Sequence, residues 1–511
     1  MPELEGRNTS PWIETAERTA YPALDREIHV DVAVLGGGMA GLMTALFLTR
    51  EGASVAVLEA ERVAEGVTAY TTAKVSALHG TQYQSVESSF GADGARVYGE
   101  SNQAAIERIE GVIGELGIDC DWRRKPAYTY AEDEEGREQV EREAQAAARA
   151  GLPASYTTET DLPWPVTGAV RVENQAEFHP RKFLLPVAAA IPGGQSHVFE
   201  HTKAVGVKDG DPARVETESG QTVVARNVVV ATHFPFLDRA GFFARMHPER
   251  SYGLGLYARG QAPQGMYLST ESPSHTVRSH PTPRGELIIA GGESHKVGQS
   301  VEDTAERVAR LEAWARRRFD VETIEYRWST QDNMPVDGVP YIGKLMPGSK
   351  SIWVATGFRK WGLTNAVVAA EILTDLIAGR PNPWASTFDS NRFKPGAAAT
   401  EFVKENANVG WRFMRDKLTG GDVDSVDDLA PGEGGLVGRG PGKTAAYRDE
   451  DGNLHELSPT CTHMGCTVKW NTAERSWDCP CHGSRFHWDG SVLQGPALDG
   501  LSPKRSGSRT T

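Results

Sequence analysis

Apolar and polar positions form their first clear pattern at residues 31–60. The apolar run DVAVLG at 31–36 predicts a buried strand, and MAGLMTALFLTRE at 39–51 predicts a helix that ends before Gly52. The run ASVAVLEA at 53–60 predicts a second strand. Together these segments predict a βαβ unit of about thirty residues.

Helix and strand patterns alternate through the middle of the chain. Apolar residues at helical spacing predict helices around 106–116 and 308–315, and residues 363–379 predict another long helix. The acidic run at 132–143 is interpreted as a solvated loop and helix face. Apolar runs typical of strands occur at 226–232, 251–258, 285–292 and 351–358.

The composition changes after residue 395. Residues 395–433 are rich in Gly, Ala, Asp and Asn with little periodicity, and residues 434–502 have short strand patterns and Gly/Pro turns. We therefore divide the chain into a polar leader (1–29), a large domain (30–395), a linker (396–424), a small domain (425–502) and a tail (503–511).

The composition is that of a globular protein with an acid excess. Of 511 residues, 54 are basic and 68 acidic, which gives a net charge of −14. This excess argues against nucleic acid or an anionic membrane as the main partner. The first thirty residues lack the apolar core of a signal peptide. The uncharged stretch at 32–49 is long enough to be considered as a membrane span, but three glycines interrupt it. We expect a cytoplasmic protein without a transmembrane segment.

The turn after the first strand fits a dinucleotide-binding pattern. Gly36, Gly38 and Gly41 match G-x-G-x-x-G, and Glu59 ends the next strand. The glycines allow a tight turn, close approach of the backbone to a pyrophosphate, and packing of the helix on the strand. Glu59 would accept hydrogen bonds from ribose hydroxyls. No second such motif follows a strand, so we expect no separate nicotinamide site.

Four of the five cysteines lie together near the C-terminus, which indicates a metal site rather than a disulfide scaffold. The pattern C-x-H at 461–463 and C-x-x-H at 479–482 supplies two thiolates and two imidazoles. Zinc accepts that ligand set, and so does an iron–sulfur cluster.

Residues 30–395 resemble the D-amino-acid-oxidase-like flavoproteins, which include glycine and sarcosine oxidases. The likeness rests on DVAVLGGGMAGLMTALFL, ARNVVVATHFP and SIWVATGFRKWGLTNA. It implies a Rossmann-type FAD domain of α/β class with an inserted mixed-sheet substrate domain, and FAD held without a covalent link, because the late segment at 329–338 has no cysteine. Gly357, Gly362, Leu363 and Thr364 match the family's turn and helix start near the flavin.

The same resemblance suggests further candidate residues. Thr68, Thr71 and Thr72 are candidate hydroxyl donors to the flavin, and Lys74 is a candidate near its ring, at a substrate carboxylate, or in oxygen activation. His295 is a candidate on the substrate face, and Arg359 or Lys360 would hold a substrate carboxylate. Each has a structural alternative, as do Asn174, His179, Arg181, Tyr252, Tyr257 and Trp328.

Residues 425–502 resemble the Rieske domain of cytochrome bc-type complexes, through CTHMGC, CPCHGS and Gly495-Pro496. The resemblance implies a small all-β domain whose [2Fe-2S] cluster is bound by Cys461, Cys479, His463 and His482, with a disulfide between Cys466 and Cys481. It also implies that the histidine-bound iron is the exposed end. Ser484 would donate to a sulfide, whereas Phe486 stands where high-potential members have Tyr.

The two resemblances together imply a flavin dehydrogenase fused to an electron-transfer domain. The expected substrate is a small amine or amino acid, and the expected acceptor takes one electron at a time, as a protein or a quinone does. Two alternatives stay open: a reductase in which the cluster feeds the flavin, and a non-catalytic redox carrier or sensor.

Overall fold

The computed structural model describes residues 4–237, 240–299, 302–392, 420–438 and 440–504, with positions 403, 404, 406–408, 411 and 415 between them. Most of the predicted linker and the tail after residue 504 lie outside these residues. The described α-helices are α1 Pro11–Glu14, α2 Met39–Arg50, α3 Gln82–Leu116, α4 Glu134–Arg149, α5 Pro180–Ala189, α6 Phe242–Arg245, α7 Thr304–Arg318, α8 Gly362–Ile377 and α9 Ala385–Phe388.

Twenty-five strands of the described residues form four sheets. They are β1 Arg7–Asn8, β2 Ile28–Leu35, β3 Val55–Leu58, β4 Lys74–Val75, β5 Arg123–Ala131, β6 Ala154–Thr157, β7 Gly168–Glu177, β8 His197–Phe199, β9 Ala204–Lys208, β10 Ala213–Thr217, β11 Thr222–Val230, β12 Met246–Arg259, β13 Met266–Ser269, β14 Thr276–Thr282, β15 Gly285–Lys296, β16 Asp320–Pro335, β17 Tyr341–Lys344, β18 Ile352–Thr356, β19 Gly434–Val437, β20 Thr444–Arg448, β21 Leu454–Leu457, β22 Lys469–Asn471, β23 Ser476–Asp478, β24 Arg485–His487 and β25 Val492–Gln494.

The first domain is built on a sheet with the strand order β17-β18-β11-β2-β3-β8, to which β10 and β9 are added next to β11. Strands β18, β11, β2, β3 and β8 run parallel, which requires crossover connections such as α2 between β2 and β3. Helix α2 is buried from Met39 to Leu48, because the sheet and helix α8 cover it. The predicted βαβ unit and the α/β class are confirmed.

The inserted domain contains a mixed, mainly antiparallel sheet with the order β1-β16-β12-β15-β14-β13-β5-β7-β4. Because side chains alternate between the two faces of a strand, β12 and β16 each present residues to both sides. On one side Trp328 donates to the Tyr70 carbonyl oxygen in the first domain, at 2.9 Å. On the other side Leu254 packs with Val308 and Leu311 of α7.

The C-terminal domain consists of two small antiparallel sheets, β19-β20-β21 and β22-β23-β24-β25. Its core contains Leu436, Trp477 and Phe486 together with four cysteines. This arrangement confirms the predicted all-β domain.

Residues 4–29, the described part of the predicted polar leader, are folded onto the large domain. Trp12 is fully buried, and its indole nitrogen donates to the Thr71 carbonyl oxygen at 2.7 Å. Arg181 is also fully buried, and it donates to carbonyl oxygens of the leader, including that of Glu17 at 3.0 Å. The leader therefore covers the loop that follows β3.

Among the residues that the structure describes, no helix is both long enough and apolar enough to cross a membrane. The uncharged stretch at 32–49 is divided between the end of β2, the glycine turn and α2.

Candidate functional site

The glycine turn between β2 and α2 forms a cradle at the start of a helix. Gly36 has a φ of +106°, and a Cβ there would lie 2.6 Å from the Ala231 carbonyl oxygen. A Cβ at Gly41 would collide with the Gly36 carbonyl oxygen, so the helix packs on the strand only with glycine. Helix α2 has no side-chain cap at Gly38. Its first amides and its positive dipole end therefore suit a phosphate.

Glu59 and Thr68 lie at the edge of this cradle. The Glu59 carboxylate accepts from the Gly37 amide at 2.6 Å, and burial raises its pKa. The Thr68 hydroxyl oxygen lies 3.3 Å from the Met39 amide nitrogen, at the first turn of α2. Both side chains have the placement expected of groups that contact the ribose and the phosphates of a dinucleotide.

The second predicted flavin segment places the start of α8 against the first domain. Gly357 has a φ of +74°, and α8 begins at Gly362 with Leu363 and Thr364 buried in its first turn. The Thr364 hydroxyl donates to the Ser76 carbonyl oxygen at 3.2 Å. These contacts hold an uncapped helix N-terminus next to the segment at 66–80.

His79 fixes this helix start and was not anticipated from the sequence. Its Nε2 donates to the Ser76 carbonyl oxygen at 2.7 Å, so its Nδ1 accepts from the Tyr98 hydroxyl at 2.6 Å. The Trp361 ring stacks on it at 4.6 Å. Burial lowers the pKa of His79 to about 3, so the ring is neutral. His79 lies in the segment at 66–80, but its role depends on contacts with Tyr98 of α3 and with Trp361 before α8, which no local pattern indicates.

Lys74 lies on the side of the inserted sheet that faces the first domain. Its amine donates to the Thr72 hydroxyl at 3.0 Å and to the Thr276 hydroxyl. Burial and, to a lesser extent, the Arg278 charge lower the pKa of Lys74 to about 7, although Glu177 opposes the shift. The Thr71 hydroxyl accepts from the Ala73 amide at 3.1 Å instead. Lys74 is thus a basic amine that is partly neutral near pH 7.

The structure distinguishes the two cationic candidates before α8. Lys360 pairs with Glu249 at 3.0 Å and donates to the Ser294 hydroxyl at 2.7 Å, so its charge is already compensated. The partly buried Arg359 guanidinium lies within 4 Å of none of the described carboxylates, although Glu249 and Glu143 act on it at longer range. Of the two, Arg359 is the cation that remains available to an anionic ligand.

His295 lies on the opposite face of the sheet from Lys74. Its Nε2 is 3.1 Å from the Tyr252 hydroxyl, and it pairs across the sheet with Arg250. Charges of Arg307 and Asp478 act on it, so it lies toward α7 and the C-terminal domain. The expectation that His295 lines the substrate face is therefore corrected, because strand parity turns its side chain away.

The remaining ambiguous residues have structural roles. His179 caps α5 by accepting from the Lys182 amide at 3.1 Å. Trp328 and Tyr257 pack in the core between the two parts of the large domain. Asn174 has a φ of +55° and contributes its carbonyl oxygen to Arg124.

The four predicted metal ligands come together in the C-terminal domain. Cys461 and Cys479 are buried thiols in contact, and the hydrogen bond from Cys479 lowers the pKa of Cys461 to about 7. The rings of His463 and His482 have centroids 5.0 Å apart. Burial lowers the pKa of His482 to about 3, and its buried Nδ1 has no hydrogen-bond partner. Two thiols and a neutral imidazole with an unused buried nitrogen fit a cluster of this ligand type.

A disulfide joins Cys466 to Cys481 and so ties the two ligand-bearing loops together. Although the sulfur atoms of Cys466, Cys479 and Cys481 lie within 4.8 Å of one another, two of them are used in this bond. The Ser484 hydroxyl contacts Cys461 and accepts from the Ala497 amide at 3.0 Å. Phe486 is fully buried.

His482 differs from the expectation that the histidine end of the ligand set is exposed. It is only 3% exposed, and the edge of its ring packs with Phe243 of α6 at a centroid distance of 5.7 Å. His463 is partly exposed. The large domain covers one histidine because the C-terminal domain lies against it, a contact that no local sequence pattern predicts.

Comparison with known proteins found a matching family for the large domain and another for the C-terminal domain. The profile of the family described as FAD dependent oxidoreductase (DAO) matches residues 31–376, and that of the Rieske [2Fe-2S] domain matches residues 421–503. The Rieske 2Fe-2S iron-sulfur protein YhfW of Bacillus subtilis (strain 168) is 38% identical over 491 residues, which are 96% of each chain.

Two further relatives match the large domain. The gamma-glutamylputrescine oxidoreductase of Escherichia coli (strain K12) is 26% identical, over 70% of this chain and 86% of its own. The crystal structure of glycine oxidase from Geobacillus kaustophilus superposes with a TM-score of 0.60 at 19% identity, and covers 71% of this chain and 99% of its own. This last likeness shows the fold alone.

Proposed function

Because the chain belongs to the FAD dependent oxidoreductase family and carries a Rieske [2Fe-2S] domain, we propose that it is a dehydrogenase of amines or amino acids. The reaction is oxidation of a C–N bond to an imine, which water then hydrolyses. FAD supplies a two-electron acceptor for hydride, and the Rieske cluster supplies a one-electron exit to an external protein or quinone.

The single observation that carries this proposal is the burial of the cluster ligand His482 against the chain's own flavin-binding domain. An oxidase that returns electrons directly to oxygen needs no such second site. A ligand set held against the flavin-binding domain favours electrons that leave one at a time.

Arg359 is proposed to hold the carboxylate of an amino-acid substrate. Its guanidinium has no described carboxylate within 4 Å, and the residue stands three positions before the first residue of α8. A planar guanidinium binds a carboxylate through two parallel hydrogen bonds. Lys360 is a poorer candidate, because Glu249 already compensates its charge.

Lys74 is proposed to accept the proton of the substrate ammonium. An amine gives up hydride readily only when its nitrogen has a free lone pair, so a base must act first. The pKa of Lys74, lowered to about 7, suits a base that works near neutral pH. The Thr72 and Thr276 hydroxyls hold the amine in position.

An anaerobic screen of amines and amino acids tests the proposal through bleaching of the flavin absorbance. We expect at least one compound to reduce the flavin fully. For an amino-acid substrate, Arg359→Met is expected to weaken binding, while the matched amine without a carboxylate binds equally to both proteins. If no compound bleaches the flavin while a reduced donor protein reduces first the cluster and then the flavin, the chain is a reductase. If neither occurs, a carrier or sensor role replaces the enzyme.

A further inference from the structure

Besides the direct contact of His482 with Phe243 of α6, two neighbouring strands, β12 and β16, lie between the flavin-binding side and the C-terminal domain. Glu249 of β12 points to the first side, where it pairs with Lys360 of the loop before α8. Arg250 of β12 and Gln331 of β16 point to the other side and pair across the two strands. One sheet layer thus carries residues of both sites on its two faces.

Gln331 and Arg250 hold the second ligand loop of the C-terminal domain. The Gln331 side-chain amide donates to the Gly483 carbonyl oxygen at 2.8 Å, and its oxygen accepts from Arg250 at 3.1 Å. Arg250 also pairs with Asp478 at 3.5 Å. Gly483 follows the ligand His482, and Asp478 precedes the ligand Cys479, so the large domain contacts both ends of this loop.

These contacts are buried as in a protein core. Arg250 is 0%, Gln331 2% and Asp478 3% exposed. Ala473 of the C-terminal domain belongs to the same apolar cluster as Leu254 of β12. Such burial is typical of the centre of a stable interface rather than of a transient contact.

The backbones also meet without intervening side chains. A Cβ at Gly298 would lie 2.9 Å from the nitrogen of Pro480, which stands between two cysteines of the ligand loop. The Gln299 side chain donates to the Pro480 carbonyl oxygen at 3.1 Å. The surfaces are therefore complementary at the point where the ligand loop touches the large domain.

The flavin-side loop is attached to the same strand. The Arg359 amide donates to the Asn333 carbonyl oxygen at 3.3 Å, two residues from Gln331 on β16. Within the described residues, β16 thus contacts the turn at 357–364 through its backbone and the cluster loop at 479–484 through the Gln331 side chain.

We propose that the C-terminal domain is fixed on this face of the sheet and that electrons pass through β16 between the two cofactor sites. Gln331 is the positioning residue, because it holds the cluster loop against β16. The proposal rests on the proposed function only in that electrons pass between flavin and cluster. In each transfer the reduced flavin loses one electron and one ferric iron of the cluster becomes ferrous. No bond forms or breaks between the domains.

A substitution that creates a steric clash between the two domains tests the fixed arrangement. Gly298→Ala places a methyl group against Pro480, whereas Gly117→Ala is the matched control, because both glycines have a φ of +62° and nothing lies within 4 Å of a Cβ at Gly117. We expect hydrogen–deuterium exchange in peptides that cover 479–484 to be slow in the wild type and in Gly117→Ala, and several-fold faster in Gly298→Ala. Fast exchange of these peptides in the wild type would overturn the fixed arrangement.

Electron transfer is measured in the full-length holoprotein without an amine substrate. A laser flash in the presence of EDTA reduces the bound flavin, and the absorbance of the cluster follows. We expect cluster reduction whose rate does not depend on protein concentration, and which slows several-fold in Gly298→Ala and in Gln331→Leu but not in Gly117→Ala. Gln331→Leu should also shift the midpoint potential of the cluster at unchanged iron content, which a merely structural role would not do.

Transfer that depends on protein concentration, or that is equally fast in Gly298→Ala and Gln331→Leu, contradicts the proposed path through β16. Because the flash needs no substrate, failure of the amine screen leaves this result unaffected. If the wild type shows no flash-driven electron transfer although the amine screen is positive, the proposed path through β16 is refuted and the proposal of a dehydrogenase stands.

Discussion

Replacement of Lys74 by methionine should change both the stability of the protein and the pH dependence of flavin reduction. The pKa of Lys74 falls from 10.5 to about 7 on folding, mainly through burial. The difference between these two pKa values corresponds to about 5 kcal/mol of unfavourable free energy for the charged amine in the folded state. This figure is an upper limit, since the side chain is only partly buried.

The direction in which the free energy of unfolding changes with pH follows from the protons bound in the folded and unfolded states. Between pH 7 and pH 10.5 the unfolded chain holds the proton of Lys74 while the folded chain has released it, so the free energy of unfolding rises with pH in this window. Below pH 7 the full cost of the buried charge is present. Lys74→Met removes that cost but also two hydrogen bonds to threonines, each worth about 1 kcal/mol. The variant should therefore be more stable than wild type at pH 6, by up to about 3 kcal/mol, and this advantage should vanish by pH 10.

Thermal unfolding from pH 6 to pH 10, followed by the release of flavin fluorescence, measures this difference. Lys125→Met is the control, because Lys125 is a surface amine whose partner is Gln264. In rapid mixing with a substrate, the rate of flavin reduction by the wild type should fall below about pH 7. The pH profile of the variant should lack this acidic limb. A stability difference that stays constant from pH 6 to pH 10 would refute the burial argument, and an unchanged limb would refute the role of Lys74 as base.

The protein as purified should contain one FAD that mild denaturation releases, and two irons per chain with a Rieske-type EPR signal; stoichiometric zinc without acid-labile sulfide would contradict the cluster. NADH and NADPH should not reduce the flavin rapidly, because the chain has one G-x-G-x-x-G motif, and fast saturable bleaching in stopped flow would show otherwise. Phe486→Tyr should raise the cluster potential, since a hydroxyl that donates to a ligand sulfur favours the reduced state; a hydrogen bond of about 1 kcal/mol corresponds to about 40 mV for one electron, and voltammetry that shows no rise would count against the placement of this residue. His482→Ala should abolish the Rieske EPR signal and leave flavin absorbance and its reduction by substrate intact, and loss of bound flavin in this variant would contradict the separation of the two sites.

The parts of the fold that local sequence determines were predictable. The glycine turn at 36–41 and the ligand pattern at 461–482 each lie within a short stretch of chain, so their spacing indicates a dinucleotide site and a metal site, while the family resemblances were needed to identify FAD and the iron–sulfur cluster. The helix start at Gly362 was likewise predictable from apolar periodicity and the family resemblance.

What the sequence could not predict depends on contacts between distant segments. The side of the sheet to which His295 points follows from its pairing with Arg250. Gln331 and Gly483 are 152 residues apart, and no pattern in either segment indicates the other. The burial of Trp12 is hidden because the residues around it are polar, and their partners, such as Arg181, occur far along the chain.

The alternation along β16 has a consequence for how this protein can vary. A strand that serves a site on each face cannot accept the insertion or deletion of a single residue, because such a slip turns every side chain beyond it to the opposite face. A slip just before Trp328 would make Trp328 and Gln331 exchange sides, so that both the contact with Tyr70 and the contact with Gly483 would be lost at once. The turn of β10 and β11 at Gly220 has open space around it and serves neither site. Length variation among descendants of this chain should therefore accumulate in such turns and be excluded from 328–333.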